Sequence, residues 1–443
     1  MTMRRILAIG TALACLAGCY RSYSRSTESG PAECGNGVVE PGEECDGDLG
    51  TCTGEDMCPG FRWCDEDCTW GECTTGGFGI LAGPVVLTDE LALEDVTSTC
   101  TEWTGDVFGV SFSGDSAAYF GRVSVAAERD GIPHQVMPGS FRVSAIETSY
   151  RGASDAYGTV MVLDEPTNPL LFNLLDPDGW PLIDPGVSTS SGEVLGLDIV
   201  AGAESFGAAW ADLHASRVYF ASLTPDIGII FPVMLDEISD FPFHRLPSLI
   251  ENVAGFAILW HVDDPAEGTS ALSFARLSND SDLISGIHEL FAEDDPQPPS
   301  ALDRAGGDYG LVYTTQPYFD SPVLDLHLAV VDEDGDLVAG PVALGRTLRH
   351  ENHDADLAWS GIEHGVVLAT PLAEEPGATR TLAFWRVTPE GAVIGGEFRV
   401  SISGDVARPA MAWDGEGYGV TYSVQREDRA DVEFVRLGCI PPD

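Results

Sequence analysis

The densest run of side chains with ligating or acid–base chemistry is His350, Glu351, His353, Asp354 and Asp356. Two imidazoles flanked by carboxylates are a donor set for a transition metal, provided His350 and His353 converge with one carboxylate. In so acidic a chain the same run also reads as an ordinary polar loop, and that reading is favoured. Asp332, Asp334 and Asp336 stand at a spacing a calcium loop uses, but the bidentate glutamate at the loop's end is missing, which leaves a hairpin turn. The sequence has no G-x-S-x-G, H-E-x-x-H or P-loop. Gly77–Ala82 fits G-x-G-x-x-A with no helix after it, so a dinucleotide site is not expected.

The elements that would position any of these residues come from a repeat. An apolar phrase with an aromatic residue and glycine near its start ends at Phe112, Met161, Trp210, Trp260, Tyr313, Leu368 and Tyr422. The steps between those ends are 49, 49, 50, 53, 55 and 54 residues. A second phrase trails each one, with Phe120, Phe172, Phe220, Phe274, Leu328, Phe384 and Phe434 at one register. Turns such as Asp176-Pro177-Asp178-Gly179 follow and mark hairpins, because glycine supplies the positive φ. A period near 50 with short strands and no helical pattern predicts all-β blades of four antiparallel strands: a seven-bladed β-propeller over residues 77–443. A long β-sandwich array is the second choice. The first phrase is expected as a buried inner strand, and the phenylalanine of the second is expected between neighbouring blades. Trp210, Trp260, Trp359 and Trp413 fall at inner-strand positions and read as core.

The seventh repeat stops at Asp443 before its last strand. The missing piece stands at the front, where Phe78–Leu87 (FGILAGPVVL) matches Gly335–Leu344 (GDLVAGPVAL). Residues 78–87 are therefore expected to close the ring, which removes exposed sheet edges. Closure would bring Cys439 near Cys73 and predicts a bridge between them.

Seven of the eleven cysteines lie between residues 34 and 73. That density predicts a disulfide module over 34–76, built from Cys34, Cys45, Cys52, Cys58, Cys64, Cys68 and Cys73, with Cys439 the eighth partner. Cys15 leaves with the export signal and Cys100 is left over. The count of 71 acidic against 22 basic side chains disfavours nucleic acid and anionic lipid as partners.

Residues 1–18 carry Arg4 and Arg5 and then an apolar stretch, Ile6–Ala17, too short for a permanent span. Its end, Leu16-Ala17-Gly18-Cys19, resembles the lipobox of bacterial lipoprotein precursors. The resemblance implies cleavage before Cys19, lipidation of its thiol, and a membrane partner engaged through lipid. Tyr20 in place of an aspartate makes the outer membrane, and the cell surface, the expected location. Residues 19–33 are Ser-rich and polar and read as a flexible tether.

Residues 34–46, CGNGVVEPGEECD, resemble the start of the cysteine-rich repeat of myxobacterial surface proteins and the opening of disintegrin modules. The second resemblance implies a structural calcium ion. Its ligands would be the Asn36 side-chain oxygen, the Val38 carbonyl and the carboxylates of Glu40, Glu43 and Asp46. Calcium's preference for six to eight oxygens suits that set. The repeat phrases also resemble propeller-like surface proteins of myxobacteria, a resemblance that carries no catalytic residues. The expected function is a non-catalytic binding or scaffolding lipoprotein that uses one propeller face for a protein or glycan. The competing expectation is a propeller enzyme, a glycan lyase or hydrolase working through channel carboxylates.

Overall fold

The computed structural model describes residues 44–45, 49–65, 69–137, 142–164, 170–183, 186–188, 193–212, 217–224, 228–229, 232–235, 243–264, 269–291, 296–316, 321, 323–348, 355–373 and 378–441. The lipobox, the tether, Cys34, Cys68 and the calcium ligands Asn36, Val38, Glu40, Glu43 and Asp46 lie outside them. So do His350, Glu351, His353 and Asp354. No helix among the described residues is long and apolar enough to cross a membrane.

The chain divides into two units. One comprises residues up to Gly50 together with Arg62–Glu72. Within it Cys45 is bridged to Cys64, and the Arg62 guanidinium lies 4.5 Å from the centre of the Trp70 ring. So small a set of side chains cannot bury a core by itself, and the bridge supplies the constraint.

The other unit comprises Thr51–Phe61 and Cys73–Asp443. Its described residues form seven four- or five-stranded antiparallel sheets, numbered in chain order, besides a short pairing of Gly60 and Phe61 with Thr75 and Thr74. Their first strands are Val96–Trp103, Val143–Arg151, Val194–Ala201, Phe243–Asn252, Pro296–Ala305, Ala355–Trp359 and Asp405–Trp413. Their second strands are Phe108–Gly114, Ala156–Leu163, Phe206–Asp212, Gly255–Asp264, Asp308–Thr315, His364–Pro371 and Gly417–Gln425. These hold the first repeated phrase, and their side chains are buried almost throughout. The third strands, which hold the second phrase, lie directly beside them. Sheet 7 takes its fourth strand from the front of the unit: Phe78–Val86 pairs with Ala430–Cys439, with Val85 opposite Phe434 and Ile80 opposite Leu437.

Aromatic contacts join consecutive sheets. The third-strand phenylalanine of one sheet meets the aromatic residue that opens the second strand of the next. Phe120 meets Tyr157 at 4.8 Å between ring centres, Phe220 meets Phe256 at 5.2 Å and Phe384 meets Tyr418 at 5.0 Å. Phe434 of sheet 7 meets Phe108 of sheet 1 at 5.0 Å, so the last sheet packs on the first. Such tilted pairs add stabilisation beyond the apolar area they bury.

The glycine of the first phrase follows from the same contact. A Cβ on Gly109 would stand 2.4 Å from the Tyr157 hydroxyl oxygen, and one on Gly419 would stand 2.3 Å from the Phe108 ring. No ordinary side chain fits there.

The disulfides differ from expectation at Cys439. It is bridged to Cys58, and Cys73 is bridged to Cys52. The cause lies in Arg386 of sheet 6, whose guanidinium is buried against Glu363 at 2.6 and 2.8 Å. It also donates to the Asp56 carbonyl and lies over the Phe78 ring, 4.8 Å from its centre. These contacts draw the Asp56–Cys58 turn, rather than Cys73, to the end of the strand that carries Cys439. Cys100 forms no disulfide within the chain.

Candidate functional site

The first strands supply the site. Those of successive sheets touch, and the first strand of sheet 7 touches that of sheet 1. They enclose a cavity of about 450 Å³ lined by residues from all seven sheets.

One contact recurs from sheet to sheet around this cavity. A side chain of one first strand accepts a hydrogen bond from a backbone N–H of the next. Ser98 accepts from Ile146 at 3.0 Å, Ser149 from Ala201 at 3.0 Å, and Asp198 from Leu249 at 2.6 Å. Ser248 accepts from Leu302 at 3.1 Å, Asp303 from Trp359, and Asp356 from Met411 at 2.7 Å. Between sheets 7 and 1 the pattern changes: Arg408 donates to the Val96 carbonyl and Thr99 donates to the Arg408 carbonyl. Each aspartate also accepts from the amide that follows it, at 2.7 Å for Ile199, 2.6 Å for Arg304 and 2.8 Å for Leu357. Both oxygens of Asp198, Asp303 and Asp356 are thus engaged by backbone amides, one within the strand and one across to the next sheet.

Two further carboxyls line the cavity from sheets 1 and 2. Glu102 is approached by the Ser149 hydroxyl and the Tyr150 amide, and beside Glu147 the Cys100 thiol donates to the Thr148 carbonyl at 3.1 Å. Loss of hydration disfavours the charged form of all five. Burial pushes Glu102 up to about 8, Asp198 and Asp356 to about 7, and Asp303 to about 6. It also holds Glu147 and the Cys100 thiol well above their ordinary values.

The third group of lining residues is aromatic. Trp103, Trp359 and Trp413 end the first strands of sheets 1, 6 and 7, and all three are half-buried. Each packs on the ring that opens its second strand: Trp103 on Phe108 at 4.7 Å, Trp359 on His364 at 4.6 Å, Trp413 on Tyr418 at 4.6 Å. Trp210 and Trp260 are core, as expected, at 4% and 0% exposure. Trp359 and Trp413 depart from that reading because the end of a first strand meets the cavity on one side.

Asp356 is the one residue of the expected metal cluster that lies among the described residues, and its two oxygens accept from the Leu357 and Met411 amides. No group of three His, Cys, Asp or Glu side chains among the described residues is placed to hold a metal ion. Asp332 accepts from the Asp334 and Asp336 amides, the hairpin turn expected of that run. Glu102, Glu147, Asp198, Asp303 and Trp103 were not singled out from sequence. Register finds them: Glu147 and Asp198 stand with Cys100, Ser248, Ala301, Asp356 and Ala410 opposite one position of the first phrase, Glu102 and Asp303 stand opposite its glycine, and Trp103 opposite its aromatic residue.

No family model matches the chain, and no curated protein does. Among solved structures, the chain is similar to the hydrazine synthase of Kuenenia stuttgartiensis at 10% identity and a TM-score of 0.52, over 80% of this chain and 98% of that one. It is also similar to the WD40 domain of SCAP from fission yeast at 10% identity and a TM-score of 0.43, over 88% and 92% of the two chains. Trypanosoma rangeli sialidase matches at 10% identity and a TM-score of 0.42, over 85% of this chain and 57% of that one. At 10% identity the likeness to the hydrazine synthase is one of fold alone.

Proposed function

We propose that the seven sheets are the blades of a seven-bladed β-propeller closed by Phe78–Val86, and that the chain is an exported lipoprotein acting as a non-catalytic binding module. In this reading Cys19 carries the lipid, the outer membrane or cell surface is the location, and a calcium ion steadies the cysteine-rich module through Asn36, Val38, Glu40, Glu43 and Asp46. The ligand sits in the central cavity.

One observation carries the binding reading. Three of the five cavity carboxylates, Asp198, Asp303 and Asp356, have both oxygens engaged by backbone amides, one from the residue that follows on the same strand and one from the neighbouring first strand. An acid–base pair needs carboxylates free to reach a substrate, and these three are building material. The cavity volume falls within the range of small-molecule sites, roughly 300–1,000 Å³.

The enzyme reading rests on Glu102 and Glu147, which are not among the three aspartates held by two amides, although the Tyr150 amide approaches Glu102. Glu102 stays protonated near neutral pH, as a general acid must. Incubating the mature chain with a panel of glycans, and scoring retention and turnover separately, tests the proposal. Retention without turnover is expected. Turnover abolished by Glu102→Gln or Glu147→Gln would replace the binding module with an enzyme.

A further inference from the structure

The central cavity is asymmetric, and the asymmetry specifies a ligand. At the register of Trp103, Trp359 and Trp413 the other four first strands carry Tyr150, Ala201, Glu251 and Arg304. The three tryptophans therefore stand together, on sheets 6, 7 and 1, which are consecutive around the cavity. Each rests on an aromatic or imidazole ring behind it, so its orientation is fixed before anything binds. A half-buried indole presents an apolar face with a polar edge, which suits the C–H face of a sugar ring.

Glu102 adjoins Trp103 on sheet 1, and Glu147 lines the cavity from sheet 2 at the register of Cys100, three residues along the strand from that of Trp103. Arg408 is the one basic residue among the described residues lining the cavity, and its guanidinium donates to the Val96 carbonyl. Thr101 is paired with Thr421, and Thr99 donates to the Arg408 carbonyl. The wall thus holds five carboxyls, three indole faces and a single cation, Arg408. A sugar bearing carboxylate, sulfate or phosphate would be repelled wherever these carboxyls ionise, with Arg408 alone to offset them. An ammonium group brings its own donors and the opposite charge, and gains a further attraction from indole faces.

We propose that the cavity binds the end of a carbohydrate carrying a free amino group, with its sugar ring on the Trp103–Trp359–Trp413 crescent and its ammonium at Glu102 and Glu147. This deepens the binding-module reading and rests on it. The two features are independent: the crescent selects a sugar ring, and the carboxyl pair selects the amine. Loss of hydration raises both glutamates, Glu102 to about 8, so an arriving ammonium drives a proton off Glu102. Binding should release protons and strengthen as pH rises from 6 toward 8.

Calorimetry on the mature chain at pH 7, in two buffers of different ionisation enthalpy, tests this with the glucosamine dimer, its di-N-acetylated form and cellobiose as probes. The expected result is binding of the glucosamine dimer at least about tenfold tighter than of the other two, with a buffer-dependent heat. Glu147→Gln, nearly isosteric, should remove that preference while the thermal midpoint is kept. Trp413→Phe should weaken all sugars together. Equal affinity for the acetylated and free-amine dimers, or an amine preference that survives Glu147→Gln, overturns the inference. If a neutral sugar binds in a Trp413-dependent way without amine preference, the inference falls and the binding module stands. If no probe is retained, the inference falls, and the glycan panel then decides the module on its own.

Discussion

At the scale of single residues, the carboxyls around the cavity tie stability to pH. Unfolded, they titrate near the ordinary carboxylate values, about 4. Folded, Glu102 stands at about 8, Asp198 and Asp356 at about 7 and Asp303 at about 6. A raised folded pKa contributes stability that is complete below the unfolded value and is lost as pH rises through the folded one. His364 has the opposite sense. It is buried on Trp359 with no hydrogen bond to either ring nitrogen, and burial lowers it from 6.5 to about 4. Its share is complete above 6.5 and is lost as pH falls toward 4. Glu102→Gln, a neutral isostere, should therefore leave unfolding at pH 5 unchanged and raise stability at pH 9 by about 2–4 kcal/mol in urea titrations. The same shift at both pH values would refute the assignment. For the clamps, Asp356→Ala should cost about 1–3 kcal/mol by leaving the Leu357 and Met411 amides unpaired, and Asp356→Asn less. Sequence brought Asp356 into view for the wrong chemistry. Among 71 acidic residues nothing local marks the one that faces a backbone amide of the adjacent first strand.

At the scale of strands, the two repeated phrases were legible because burial demands them at every repeat. What they could not disclose was their partnership. The aromatic that opens one second strand sits over the glycine of the preceding sheet, as Tyr157 does over Gly109, and a phenylalanine of the preceding third strand completes the contact. Phrase and spacing are written in one chain segment, whereas the contact spans about 50 residues. Gly419→Val should therefore destabilise through the Phe108 ring of sheet 1, by about 1–3 kcal/mol in denaturant unfolding. Gly415, with nothing within 4 Å of its Cβ direction but a φ of +101°, should respond to Ala through backbone strain alone. Equal effects of Gly419→Ala in the full chain and in a Phe108→Ala background would refute the contact. The Cys73–Cys439 expectation failed at this scale as well. Proximity along the chain favoured Cys73, whereas the buried Arg386–Glu363 pair fixes the Asp56–Cys58 turn at the end of the Cys439 strand.

At the scale of the whole molecule, the account depends on the front and back of the sheet unit sharing one sheet. The sequence foretold this from an unfinished seventh repeat, and Phe78–Val86 does pair with Ala430–Cys439. Phe434 on Phe108 and the Arg408 bond to Val96 then join sheet 7 to sheet 1, which is how a cavity lined by seven strands arises. Native-state hydrogen exchange of the mature chain tests that union directly. Amides of residues 78–86 that face 430–439 should exchange with them as one slow unit, far more slowly than those of the short outer strand Gly228–Ile229. Exchange of 78–86 as fast as that outer strand, while 430–439 stays protected, would contradict closure and with it the cavity on which the functional reading stands.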